Sequence, residues 1–422
     1  MKLHLENSFL RNISLLVSGT ALAQLIPILL QPILKRIYTP EEFGIFDIYI
    51  KILGIMFVVY ALKYDIGIVL PKNKVKAQAL LLISSLSAIL FTIISFLIIL
   101  FFNHQILKLF NISPQYLFIL YLLPFSTLFF SLYNTFNFLL IREKRFFASS
   151  MNKVSRRAIE GGLQVGIGYS NGIKSYGLFV GDLIGNLAYF ISTYIQSYRG
   201  FKIDKRLFSY KFLKSIAKEY SDLPKYNLIP ELLNSFFGAS LTFIVLAKFN
   251  IIEVGLLEST QRLLVIPSAF ISVSLGQVIL QKISESVIKK EKIMHELKTL
   301  VLLMTGISIL FTLFILFFGP IVFKLFLGET FEQSGNYAQY LIVYFAVSFL
   351  FSPFGQVLIA LKAFKINAQW QILKFLIIYA LFFVAFDNIR SFLLVYSAIG
   401  TIAYLIYGAI IFKKAKQYDN SL

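Results

Sequence analysis

Twice in this chain an acid and a base stand four residues apart at the start of a long apolar run. The first copy reads Glu42-Phe43-Gly44-Ile45-Phe46-Asp47 with Lys51 four residues on. The second reads Glu253-Val254-Gly255-Leu256-Leu257-Glu258 with Arg262 four residues on, at an offset equal to half of the 422 residues. Four residues is one helical turn, so Asp47 meets Lys51 and Glu258 meets Arg262. A charge in the centre of a bilayer costs roughly 2.5 to 3.5 kcal/mol even on lenient scales, which makes two such pairs at equivalent places hard to read as accidents. Either each pair neutralises itself while the basic stem reaches for the interface, or the bases face a water-filled cavity and hold an anion. On the second reading Arg262 and Lys51 are cavity cations, and Arg262 is the firmer of the two because Lys escapes to the interface more readily. Lys374, deep in a later apolar run and with no acid at helical spacing, is a third candidate.

Acids and prolines supply further candidates. Asp47, Glu258 and Asp182 are places where a coupling proton or sodium ion could bind, although Asp182, beside Gly181, also suits a hydrogen bond across a tight helix contact. Gly162 and Gly166, and then Gly177, Gly181 and Gly185, form small-residue faces that suit close helix packing. Arg156, Arg157 and Glu160 read as the inner end of a span, where lipid-facing snorkelling competes with an inner gate. Pro27, Pro32, Pro230 and Pro267 interrupt backbone ladders and mark candidate helix hinges.

Other chemistries are excluded by composition. With no cysteine there are no disulfides, thiolate metal sites or Cys nucleophiles, and the three histidines, His4, His104 and His295, are too scattered for a catalytic or metal cluster. No metal, cofactor or enzyme activity is expected. The basic residues sit on short loops without interleaved aromatics, which argues against nucleic acid. The first apolar stretch, Phe9 to Leu34, is too long for a cleavable signal peptide.

The elements that must position these residues are membrane spans. Hydrophobic residues make up 58% of the chain and charged ones 14%, and mean hydropathy is +0.76. A span takes about 20 apolar residues. That ruler predicts twelve, near 9–34, 43–62, 77–102, 114–140, 149–170, 174–197, 228–249, 252–281, 299–327, 336–361, 366–386 and 390–412. With the N-terminus inside, thirty of the 40 basic residues fall on inner segments. Only Lys35, Arg36, Lys108, Lys174, Lys248, Lys324 and Arg390 fall outside. That bias places both termini in the cytoplasm. The formal net charge of +19 is then mainly a topology signal, with anionic membrane lipids as a secondary partner. The predicted fold is an all-α integral membrane protein of two parallel six-helix halves, 1–198 and 226–422, related by a pseudo-twofold axis along the membrane normal. Between them, 199–225 reads as a basic amphipathic helix on the cytoplasmic face, with Phe208, Phe212, Ile216 and Tyr220 every four residues. Ile68-Val69-Leu70-Pro71-Lys72 and Val278-Ile279-Leu280-Gln281-Lys282 add a weaker match between the halves.

A family resemblance is carried by three segments. Leu16-Val17-Ser18-Gly19-Thr20-Ala21-Leu22-Ala23-Gln24-Leu25-Ile26-Pro27 and the run from Pro32 through Tyr38-Thr39-Pro40-Glu41-Glu42-Phe43-Gly44 to Phe46 resemble the opening of Wzx-type polysaccharide flippases. Those belong to the multidrug/oligosaccharidyl-lipid/polysaccharide exporter superfamily, whose multidrug members are the MATE transporters. Lys63-Tyr64-Asp65-Ile66-Gly67-Ile68-Val69-Leu70-Pro71 is similar to the Arg-Tyr-Glu-x-Ala-Ile-x-Leu-Pro segment that closes the second span there, with Lys for Arg, Asp for Glu and Gly for Ala. Lys63 and Asp65 thereby join the inner-gate candidates. Tyr220-Ser221-Asp222-Leu223-Pro224-Lys225-Tyr226, followed by Pro230, resembles the start of that family's second half. The likeness is residue-specific over about the first 75 residues and around 218–285. It implies a flippase of undecaprenyl-pyrophosphate-linked oligosaccharide repeat units, moving them from the inner to the outer leaflet of the bacterial plasma membrane. O-antigen or another lipopolysaccharide or capsule polymer would be the product, and a polysaccharide polymerase and chain-length proteins the partners. A cavity cation in each half would draw the pyrophosphate across the midplane while the prenyl tail stays in lipid. Two other classes remain open: a multidrug or cation antiporter of the same superfamily, and a membrane polysaccharide polymerase.

Overall fold

The computed structural model of the chain describes residues 19, 22–170, 172–198 and 204–422, and the backbone alone at 265–271, 273, 274, 277 and 364. The start of the first predicted span, the side chain of Pro267 and residues 199–203 of the middle segment lie outside the described residues. The described residues hold helices and turns and no strand. Two compact units are present, one up to Leu241 and one from Thr242 on.

The first unit contains α1 (22–37), α2 (Pro40–Tyr60), α3 (Lys74–Leu109), α4 (Leu117–Arg142), α5 (Phe146–Gly168), α6 (Gly177–Tyr198), α7 (Tyr210–Glu219) and the first part of α8 (Asp222–Lys248). The second holds the end of α8, then α9 (Ile251–Lys289), α10 (Met294–Leu327), α11 (Glu332–Phe351), α12 (Gly355–Ala360), α13 (Phe364–Ala380) and α14 (Ile389–Asp419). Among the described residues nine helices are long and apolar enough to cross a membrane. Helices also occupy the other three predicted positions, as α1, α5 and α9. α3 turns Leu86, Ile89, Leu90, Ile93, Leu97 and Phe101 outward, and α10 does the same with Leu302, Leu310, Phe317 and Leu325. Apolar faces of that extent are stable against hydrocarbon and not against water. This is a multi-pass membrane protein.

Local sequence sets the helix starts. Thr39 caps α2 in a capping box: its backbone N–H donates to Glu42 Oε2 at 2.8 Å, its hydroxyl accepts from the Glu42 N–H, and Pro40 takes the first helical position. Asn250 caps α9 by accepting from the Glu253 N–H at 3.0 Å. The Glu that opens each copy of the repeated pattern therefore stands at the third helical position behind a capping residue, and its recurrence is first of all a start signal.

The halves part company after this. α2 ends at Tyr60, and Leu62 and Lys63 take positive φ values of 47° and 60° before a short 3₁₀ turn, Asp65–Val69. In the second half α9 runs unbroken to Lys289. The matched segments 68–72 and 278–282 consequently have different backbones: Pro71 follows a turn, whereas Gln281 continues a helix. Pro27, Pro32, Pro230 and Pro267 all lie inside continuous helices. Within α3, Phe102 departs from helical geometry, with φ −118° and ψ 18°.

Among the described residues of the middle segment the α-helix begins at Tyr210, and Phe208 is exposed on the preceding 3₁₀ turn. The apolar face of α7 lies on protein: Ile216 is buried, and Phe212, Leu213, Ala217 and Tyr220 pack on Tyr64, Ile68, Ala77, Leu80 and Leu81.

Candidate functional site

Charged side chains gather between α4, α5 and α6. α5 is 23 residues long, and Arg156 stands ten residues after Phe146 and twelve before Gly168, at mid-helix. Arg156 and Arg157 thus stand near the middle of α5, farther along it than the inner end at which the sequence places them. Snorkelling does not describe Arg156 either. Its Nη2 lies 3.3 Å from Asp182 Oδ1 and 3.9 Å from Glu160 Oε2, and its guanidinium sits over the rings of Phe130 at 5.0 Å and Tyr189 at 5.7 Å. Arg157 Nη1 donates to Glu160 Oε2 at 2.8 Å. Asp182, fully buried, also accepts from the Ser126 hydroxyl at 2.6 Å and from Asn186 Nδ2 at 3.0 Å, and Asn186 donates to Ser126 Oγ at 2.8 Å. Two cations face two anions, and the neutral polar groups satisfy part of what remains. Only with such supplementary bonds does a buried pair offset its desolvation.

Three stripes at helical spacing build this network. α4 contributes Ser126, Phe130, Tyr133, Asn134 and Asn137; α5 contributes Ser149, Asn152, Arg156, Glu160 and Gln164; α6 contributes Asp182, Asn186, Tyr189, Thr193 and Ser197. Ser149 donates to Asn137 Oδ1 at 2.6 Å, Asn152 to Thr193 Oγ1 at 3.1 Å, and Gln164 to the Leu178 carbonyl at 3.1 Å. Sequence reasoning found the charged members and missed the amides and hydroxyls. Their signal was a polar residue every three or four positions within apolar spans. Gly181 and Gly185 let α6 close on α5: a Cβ at Gly181 would meet the Glu160 carbonyl oxygen at 3.0 Å, and one at Gly185 would meet Glu160 Cβ at 2.9 Å. Gly162 and Gly166 face open space, so their packing role is corrected too.

Lys63 and Asp65 form a separate cluster at the end of α2. Lys63 Nζ bridges Glu231 Oε1 on α8 at 2.6 Å, and Asp65 accepts from Asn134 Nδ2 at 2.6 Å. Burial pushes the Asp65 carboxyl above its ordinary value, with Lys63 pulling the other way. Arg142 donates to the carbonyls of Ile68 at 3.1 Å and Lys72 at 3.3 Å, pinning the same turn.

The duplicated pairs are ion pairs in the structure. Lys51 Nζ lies 3.9 Å from Asp47 Oδ1, with the two side chains 26% and 12% exposed, and Arg262 Nε pairs with Glu258 Oε1. Lys51 is eleven residues after Pro40 and Arg262 eleven after Ile251, roughly 16 Å along each helix at about 1.5 Å per residue. Self-neutralisation is therefore realised in both copies, and both bases keep a partly open side. Lys374, buried on α13, donates to the Tyr404 hydroxyl at 3.3 Å and lies 5.1 Å from that ring.

The fold is that of the MATE-like exporters. An inward-facing multidrug resistance MATE family transporter of the MOP superfamily aligns with a TM-score of 0.72 at 13% identity, covering 94% of this chain and 96% of that one. Lipid II flippase MurJ in an inward closed conformation aligns at 0.64 and 15%, covering 94% and 99%. A variant of the Vibrio cholerae MATE transporter VcmN aligns at 0.60 and 11%, covering 97% and 96%. Identities this low establish likeness of fold alone. No curated protein matches the sequence. The family model described as polysaccharide biosynthesis protein matches residues 33–336, and the chain belongs to that family.

Proposed function

We propose that the protein flips undecaprenyl-pyrophosphate-linked oligosaccharide repeat units from the inner to the outer leaflet of the bacterial plasma membrane. The observation that carries this reading is the matched register of Lys51 and Arg262, each eleven residues past the first residue of its helix and partly open, in a member of a polysaccharide biosynthesis family. A pyrophosphate is a compact dianion or more, and a cation contributed by each half suits it. The MATE-like fold is shared with the lipid II flippase MurJ, which supports a lipid-linked cargo.

In this scheme twelve spans form two six-helix halves, 1–198 and 226–422, joined by 199–225, with both termini cytoplasmic. Arg262, Lys51 and Lys374 line the cavity. Asp47, Glu258 and Asp182 are the places for a coupling proton or sodium ion, since substrate binding alone cannot drive net transport unless it biases two states. Arg156, Arg157, Glu160, Lys63 and Asp65 hold the inner gate, and Pro27, Pro32, Pro230 and Pro267 are hinges. No metal or organic cofactor takes part, and polysaccharide polymerase and chain-length proteins receive the product. A cationic excess within spans disfavours a cationic-drug antiporter, which would be expected to use acids and aromatics.

The test is leaflet exchange of labelled lipid-linked oligosaccharide in vesicles holding the purified protein. Exchange is expected with wild type and a loss of tenfold or more with Arg262→Glu. Equal exchange by the two proteins sinks the cationic cavity, and export of a cationic dye in place of the lipid supports the antiporter.

A further inference from the structure

The second unit carries a polar cavity that the proposed path does not use. It has a volume of about 440 Å³ and is lined by Glu332, Gln333, Asn336, Tyr337 and Tyr340 of α11, by Glu329 and Thr330 before it, and by Ile389 and Arg390 at the start of α14. That volume lies within the roughly 300 to 1,000 Å³ of small-molecule sites. The walls are held from behind. The buried Tyr337 hydroxyl donates to Glu253 at the start of α9 and accepts from Gln333 Nε2 at 2.8 Å, which fixes its ring. Arg390 lies 5.6 Å from the Tyr340 ring.

The charges at this end largely cancel. Lys324 Nζ lies 3.5 Å from Glu329 Oε1 and 3.2 Å from Glu332 Oε2, so one cation engages both carboxylates, and Arg390 supplies a second positive charge. A strongly charged ligand therefore meets no net field here. What remains is an amide that donates and accepts in Asn336, a threonine hydroxyl, carboxylate oxygens that accept, an Arg that only donates, and a half-buried phenol ring. Hydroxyl-bearing rings with one apolar face need that combination: bonds to paired hydroxyls, and an aromatic plane beneath the C–H face.

We infer that this cavity is a saccharide site, taking neutral sugars of the exported repeat unit where the turns before α11 and α14 meet. The inference rests on the flippase reading for the identity of its ligand and for its place on the outer side, to which the charge bias assigns both turns. The site would hold the glycan by its sugars while the pyrophosphate remains with the cations of the spans.

Full-length protein in detergent, titrated with soluble oligosaccharide released by mild acid from the producing cell's own polysaccharide, tests this, with inorganic pyrophosphate as the anion control. Wild type is expected to bind the saccharide, Tyr340→Ala and Asn336→Ala to bind at least tenfold more weakly at unchanged thermal stability, and Tyr340→Phe to bind as wild type does. Saccharide binding that ignores both alanine variants overturns the inference, as does wild type that binds pyrophosphate but not saccharide. Should Tyr340→Ala unfold, Asn336→Ala alone decides. Vesicle transport separates the two readings: lipid exchange without saccharide binding defeats the pocket only, and variant-sensitive saccharide binding without lipid exchange defeats the flippase only.

Discussion

Arg156 and Asp182 illustrate what a charge inside an apolar helix requires. Each is held by the other and by neutral partners, Ser126 and Asn186 for the acid and two aromatic faces for the base. Removing Arg156 takes from the buried Asp182 its ion-pair partner, at a cost of about 3 to 5 kcal/mol, and removing Asp182 leaves Arg156 only the longer contact with Glu160, whereas replacing both by apolar groups of similar shape is often nearly neutral. Arg156→Met and Asp182→Leu are each expected to lower the thermal unfolding midpoint of the detergent-solubilised protein sharply, and the double variant to recover much of the loss. Additive losses in that cycle would show that the pair is not coupled. Asp65 gives a pH-dependent counterpart outside the spans. Burial raises its pKa in the folded protein, so the fold holds that proton more tightly than the unfolded chain does. The contribution is fully present below the ordinary carboxylate value of about 3.9 and is lost as pH rises through the raised value. Stability of wild type is expected to fall relative to Asp65→Asn as pH is taken from about 4 to about 7. Parallel midpoints across that range would show that the carboxyl does not titrate with folding.

At the scale of elements, α5 and α6 are joined by two glycines whose missing side chains set their separation. A methyl at Gly181 or Gly185 would press on the backbone or Cβ of Glu160 and displace the helix that carries Arg156. Gly181→Ala and Gly185→Ala are expected to cost about 1 to 3 kcal/mol in unfolding measurements. Gly162→Ala and Gly166→Ala, in open space on α5, should be neutral or gain up to about 1 kcal/mol from helix propensity. Equal effects at all four sites would rule out the close approach as the cause. The sequence showed that glycines were present but not which face they occupied. That depends on helix rotation, which Gly161, against Leu30, and Gly168, against Ile37 and Tyr38, settle the other way for α5. Helix positions were legible because about 20 apolar residues between basic loops leave few alternatives. The turn at Leu62 and Lys63 was not, since positive φ at a leucine and a lysine is imposed by tertiary contacts, among them the Lys63 bridge to Glu231. Nor was the docking of α7, whose amphipathic pattern fits lipid and protein equally well.

For the whole molecule, the doubled acid–base pattern has come apart into two kinds of position. Its first residue, Glu42 or Glu253, serves a helix start. Its second acid and its base form an ion pair one turn long in each unit. What a one-turn pair leaves open is which of its ends matters, because neutralisation is satisfied with the charges in either order. Exchanging them, as Glu258→Arg with Arg262→Glu, keeps a pair on the same helical face and moves the cation four residues, about 6 Å, toward the start of α9. A purely structural pair predicts unchanged unfolding and unchanged leaflet exchange of lipid-linked oligosaccharide. A cation that holds pyrophosphate at the position of Arg262 predicts near-normal unfolding with exchange reduced tenfold or more, and the matching swap of Asp47 and Lys51 predicts a smaller loss, since a flexible ammonium reaches farther than a planar guanidinium and is less tied to its position. If both swaps transport at the wild-type rate while Arg262→Glu alone does not, neutralisation is the whole function of these pairs, and the substrate must be held by other residues of the spans.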